Sequence, residues 1–287
     1  VNFTFVPLND WGSTLTGFFS FGVIPAKVDF VMLAVFAALA GSGGIGNLAI
    51  SNWFRDKGFG MAARTGNMGG VWSTEQTLAP VGRVFPINAE NLRRWRDWWR
   101  YAMIDQSGLW MLGCIVGMFL MVNLASSLFQ PGMQISGVAA GVFQAAEMRK
   151  LWEGFWLLAL MNGFWILFST TLTNIDVLAR VIADMAWAGG AVPEKVPVGR
   201  LYGMLLLGFT VIACFGAFLG DAKLLLTILG ATAAPVNAFS ALQILRLNTT
   251  LLPVELRPPL WRRIALVLTA LFYGAISFAM FHQIFSR

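Results

Sequence analysis

Gly41-Ser42-Gly43-Gly44-Ile45-Gly46 puts four glycines into six residues, inside an otherwise helical pattern that runs from Val28 to Phe54. Each interior glycine costs a helix about 1 kcal/mol relative to alanine, so four together unwind it locally. Unpaired backbone at membrane depth is tolerated only where protein, water or a ligand satisfies it. An interrupted helix is therefore a pointer to a transporter's substrate site. The chemistry on offer is that of oxygen donors. Carbonyls freed near Ala40–Ser42 carry the negative end of the first half-helix and suit a cation. A packing role stays open, because small residues at spacing four also let helices approach closely. Asn47, which opens the second half-helix, is either a ligand or an N-cap.

Other polar residues fall inside apolar runs. Asp176 is the most interior acid, and intramembrane acids are functional by default. Arg180 follows four residues later, the spacing of an ordinary ion pair, which favours pairing or gating over direct ligation. Ser169, Thr170 and Thr173 either bond their own helix backbone or line a pathway. Asn237 is expected to cap carbonyls freed by Pro235, and Pro235 to kink its helix. Asp105 and Gln106 are a gate or a solvated helix start. Cys114 and Cys214 lie in separate apolar segments, so neither a disulfide framework nor a zinc site is indicated. His282, the only histidine, is expected to be packed or interfacial. No metal-ligand cluster, nucleophile–base pair or phosphate loop appears, so an enzyme is not expected, and no cofactor is.

The elements that must position these residues are membrane helices. The chain has 287 residues, 57% of them hydrophobic and 12% charged; its mean hydropathy is +0.68. That charge content is about half the globular average, and continuous apolar runs exclude an alternating strand-period barrel. An all-α, polytopic membrane protein follows. Residues 1–27 read as an extracytoplasmic segment. Residues 28–287 read as a transmembrane domain with spans at about 28–54, 102–128, 150–187, 198–219, 222–246 and 260–285. The loop at 55–101 ends in the basic, aromatic run Asn91–Arg100, the look of an aromatic belt with snorkelling cations. Fifteen of the 20 Lys and Arg residues fall on the side of this loop. By the positive-inside rule that side is cytoplasmic and both ends of the chain lie outside. The same asymmetry accounts for the net charge of +6 without nucleic acid. The chain begins with Val1 and shows no signal-peptide pattern, so a fragment lacking its N-terminal spans is expected.

The segments GSGGIGNLAISNWFRDKGFGM (41–61), ENLRRWRDWW (90–99) and LNTTLLPVELRPPLWRR (247–263) carry a resemblance. The chain resembles the Nramp (natural resistance-associated macrophage protein) divalent metal transporters, and more closely their divergent bacterial relatives. That likeness implies a leucine-transporter-like fold of the APC superfamily, with this chain as the second inverted repeat plus one extra helix, about helices six to eleven. It implies a bacterial inner-membrane location and, as partners, the lipid bilayer, a divalent metal ion and the missing N-terminal half. Typical members read Met-Pro-His-Asn in the unwound sixth helix, with a second histidine one turn on. Anchored on Asn47, the matching positions here are Gly44, Ile45, Gly46 and Asn47, with Ser51 at the second histidine. The methionine that favours soft metals and the titrating histidines are therefore replaced. Backbone carbonyls of Gly41–Gly44, water, and the oxygens of Ser42 and Asn47 make a hard-donor set, suited to Mg²⁺ or Mn²⁺. Thr227 falls where the family places a polar metal-facing side chain on its tenth helix, and Ser51, Thr170, Thr173 and Asp176 are pathway or gate candidates. The implied function is secondary transport of a hard divalent cation by alternating access. The alternatives are an amino-acid or other organic-solute carrier of the same superfamily and, remotely, a membrane enzyme or scaffold.

Overall fold

The computed structural model describes residues 12, 15–17, 29–39, 46–61, 66, 84–128, 139–150, 152–193, 196–219 and 222–286. Among the described residues every regular element is helical. The order is α1 (Phe30–Leu39), α2 (Gly46–Asp56), α3 (Ala89–Met103), a π-helical stretch (Ile104–Trp110), α4 (Met111–Leu128), α5 (Ala139–Arg149), α6 (Gly154–Ala188), α7 (Val198–Leu219), α8 (Ala222–Thr250), a 3₁₀ turn (Val254–Leu256) and α9 (Leu260–Phe285).

Among the described residues five helical stretches are long and apolar enough to cross a bilayer: Ala89–Leu124, Gly154–Ala188, Val198–Gly216, Leu224–Thr250 and Leu260–Phe285. The chain is a multi-pass helical membrane protein. The 35 residues of α6 reach about 52 Å at 1.5 Å per residue, beyond the roughly 30 Å hydrocarbon core. Its packing has the membrane pattern, with small residues inside and large apolar ones outside. Ala34, Ala38, Ala179, Ala183, Ala233 and Ala234 are buried, whereas Phe36, Leu167, Phe218 and Phe278 are exposed.

The sequence-based boundaries need three corrections. The loop expected over 55–101 gives way to helix at Ala89. The Asn91 N–H donates to Asn88 Oδ1 at 2.8 Å, an N-cap bond that satisfies one of the free donors of a helix start. Asp105 and Gln106 consequently lie inside a continuous helical run rather than at its beginning, with Gln106 Nε2 donating to Asp105 Oδ2 at 2.7 Å. A separate alanine-containing helix, α5, precedes the third span, which itself starts at Gly154 rather than near Lys150. The fifth span continues to Thr250, past the expected 246. There Thr249 and Thr250 donate back to the carbonyls of Leu245 and Arg246, and Pro253, which lacks a backbone donor, lies beyond the end. The helix passes through Pro235 without interruption.

The chain divides into two compact units, residues 1–29 with 92–166 and residues 30–91 with 167–287. The first holds most of α3, together with α4, α5 and the start of α6. It buries Asn123 and Leu124 on α4, and Ala145 and Met148 on α5. The second holds α1, α2, the end of α6, and α7 to α9.

In the second unit α1 lies against α8 and α9. A Cβ on Gly230 would come within 2.7 Å of Val35 Cα, so the two backbones meet at that point. Ala38 packs with Ala233 and Ala234, and Tyr273 of α9 joins them. The contacts Val35–Gly230 and Ala38–Ala233 advance together, so α1 and α8 run in the same direction. The Phe30 N–H donates to Gln283 Oε1 at 2.8 Å, and Tyr273 OH to the Ala37 carbonyl at 3.0 Å. Those pairs run in opposite order, so α9 is antiparallel to α1.

Candidate functional site

Gly41, Ser42, Gly43 and Gly44 lie outside the described residues, and so does the side chain of Asn47, whose backbone belongs to the first turn of α2. The surroundings of the segment are described on both sides. The last described turn of α1 is Phe36–Leu39. Tyr273 OH donates to the carbonyl of Ala37.

Asn237 lies one turn beyond Ala233 and Ala234 on the same stripe of α8. The Ala38–Ala233/Ala234 contact sets its position, near the last described residues of α1. The expected cap to carbonyls near Pro235 is not made: Asn237 Nδ2 is buried without a hydrogen-bond partner among the described residues. A buried amide left unpaired costs about 1–3 kcal/mol.

Thr227 is three turns back along α8, one turn before Gly230, and so stands beside the early part of α1 rather than its end. The helical register therefore places Asn237, not Thr227, one turn beyond the contact with Ala38. Thr170 and Thr173 are exposed on α6, and neither makes a side-chain hydrogen bond among the described residues. Thr210, Thr232 and Thr269, by contrast, each bond a carbonyl of their own helix. Ser51 is exposed on α2, its Oγ 3.5 Å from Asn52 Oδ1.

Asp176 is part of a larger ionic arrangement. Arg180 Nε donates to both Asp176 oxygens at 3.0 Å, the i,i+4 pair expected from the spacing. Arg180 Nη1 also reaches Asp56 Oδ2 at 3.0 Å, and Arg55 Nη1 reaches Asp184 Oδ2 at 2.7 Å. Tyr202 of α7 donates its hydroxyl to Asp176 Oδ1, while the Arg180 guanidinium lies 4.7 Å from the centre of the Tyr202 ring. Asn52 Nδ2 adds a 3.4 Å contact to Asp184 Oδ2. With every oxygen engaged by a cation or a donor, Asp176 is a pairing residue. Beside it, Ala179 and Ala183 pack with Val198 and Tyr202 and form the apolar part of the α6–α7 contact.

Sequence reasoning missed Tyr202, Tyr273 and the unpaired burial of the Asn237 amide. Tyrosine was one available signal: the chain has only three, and two of them sit in apolar helices with the hydroxyl committed to a neighbouring element. No group of three or more His, Cys, Asp or Glu side chains able to hold a metal occurs among the described residues. No protein-family model, curated protein or solved structure matches the chain.

Proposed function

We propose that the chain forms part of a secondary transporter that moves a hard divalent cation, Mg²⁺ or Mn²⁺, by alternating access in an Nramp-like, leucine-transporter-like fold. The observation that carries the reading is the buried, partnerless amide of Asn237, one turn beyond the α8 residues that pack on Ala38 near the last described residues of α1. In this reading carbonyls from Gly41–Gly44, Ser42, Asn47 and the Asn237 amide oxygen surround the ion, which keeps part of its hydration shell. An amide fits its cavity in either orientation, so Oδ1 can take the place of Nδ2 toward a cation. The parallel course of α1 and α8 and the antiparallel course of α9 suit α1–α2 as the first of six alternating spans.

The organic-solute reading draws on the same atom, because Nδ2 as it stands donates and a substrate carboxylate accepts. Asn237→Asp separates the two. With an added negative charge, Mn²⁺ binding by the intact protein is retained or tightened if the cargo is a cation. If the cargo carries a carboxylate, like charges meet and amino-acid binding is lost. Unchanged binding of both classes in Asn237→Asp and in Asn237→Leu would refute the placement.

A further inference from the structure

The ionic arrangement around Arg180 reaches beyond one helix. On α6, Asp176, Arg180 and Asp184 alternate in sign at intervals of four residues along one stripe. On α2, Arg55 and Asp56 present one charge of each sign. The observed pairing sets Arg55 on Asp184 and Asp56 on Arg180. A slide of one turn, about 6 Å, would set Arg55 against Arg180 and Asp56 against Asp176, like on like. Complementary charges of this kind fix a register by penalising its neighbours.

The joint is ionic where its neighbour is apolar. The α6–α7 contact is built on Ala179, Ala183, Val198 and Tyr202, and α2 contributes no residue to that cluster or to the one around Ala38. The paired side chains are partly wetted, Arg55 at 20% and Asp184 at 19% exposure. Ion pairs at such a boundary sit near balance between Coulomb attraction and hydration. Separation returns both partners to water, and it lets water reach Arg55 Nη2, which is buried without a partner among the described residues. An apolar seam has no such compensation on opening. The ionic contacts of Arg55 and Asp56 thus set the register of α2 against α6.

We propose that the pairs Arg55–Asp184 and Asp56–Arg180 form a charge-registered latch, which closes the basic-loop mouth of the pathway beside α2 and releases when α2 leaves α6. The latch rests on the transporter reading above, in which α2 is the half-helix that follows the cargo site. Asp184 and Arg180 are positioning residues in it and touch no cargo.

The test is cysteine accessibility. Ala49, 3% exposed, lies two turns before Asp56 on the same face of α2. Ala49→Cys is introduced into the intact protein with Cys114→Ser and Cys214→Ser, and inverted vesicles are treated with a membrane-impermeant maleimide. Asp184→Asn should speed labelling about tenfold, the factor that corresponds to about 1.4 kcal/mol. The swap Arg55→Asp with Asp184→Arg should return it to within about twofold of the parent. Labelling unchanged by Asp184→Asn, or a swap as fast as the single variant, overturns the latch. If Asp184→Asn does not fold, the swap decides alone: folded and protected supports the latch, folded and unprotected overturns it. Mn²⁺ uptake is measured on the same vesicles. Labelling as expected with no uptake by the parent sinks the transporter reading and leaves the charge pairing standing.

Discussion

Gly230→Ala tests the close approach of α1 and α8. The new Cβ would stand 2.7 Å from Val35 Cα, a backbone atom that cannot swing aside. Carbon atoms rest at about 3.5–4.0 Å, so α1 and α8 must part by roughly 1 Å, and overpacking of this kind costs about 1–3 kcal/mol. Alanine also recovers about 1 kcal/mol of helix propensity, which would hide part of the loss. The proper comparison is Gly208→Ala on α7, where an added Cβ meets nothing within 4 Å and only the propensity gain applies. The difference between the two variants is then the steric cost alone. At about 2–4 °C per kcal/mol for chains near this size, Gly230→Ala should melt roughly 2–12 °C below Gly208→Ala, followed by tryptophan fluorescence in detergent. Equal melting temperatures would refute the close approach of α1 to α8, and with it the height assigned to Asn237.

Three further outcomes follow from single contacts. Tyr273→Phe removes the donor to the Ala37 carbonyl and should cost about 0.5–1.5 kcal/mol in thermal stability, while faster amide exchange at the end of α1 reports the site of the loss. Asn88→Ala removes the cap of α3 and should cost about 0.5–2 kcal/mol, read as faster amide exchange in Ala89–Leu92. Thr227→Val should leave Mn²⁺ affinity within about twofold of the parent, because Thr227 stands three turns from Asn237 along α8; a loss above about tenfold, near 1.4 kcal/mol, would restore the position that the family likeness implies.

Much of the architecture was legible because a bilayer leaves a strong imprint. Continuous apolar runs gave the helical class and placed the four later spans within a few residues, apart from the C-terminal extension of α8. The start of α3 was missed because arginines and tryptophans over 91–100 read as a boundary loop, whereas Asn88 supplies a cap that lets the helix begin in polar surroundings. The short helix α5 lacks both length and a distinctive apolar stripe, so no periodic signal announced it.

The Asp176–Arg180 pair was visible from its spacing alone. Its partners Asp56 and Tyr202 were not, since 124 residues separate Arg180 from Asp56 in the chain and only the fold brings them together. Asn237 was misread for a related reason. Beside Pro235 a local cap was the economical expectation, but the register between α1 and α8, fixed by Gly230 and Ala38, gives the amide a different neighbourhood.

The central claim, a hard-donor cation site where α1 ends, meets its most direct measurement in competition for Mn²⁺ uptake by vesicles that carry the intact protein. Excess Mg²⁺ should suppress uptake, and equimolar Cd²⁺ or amino acids should leave it unaffected, because no thiolate or thioether ligand is assigned to the site and no carboxylate is recognised by it. Suppression by amino acids with indifference to Mg²⁺ would contradict the account.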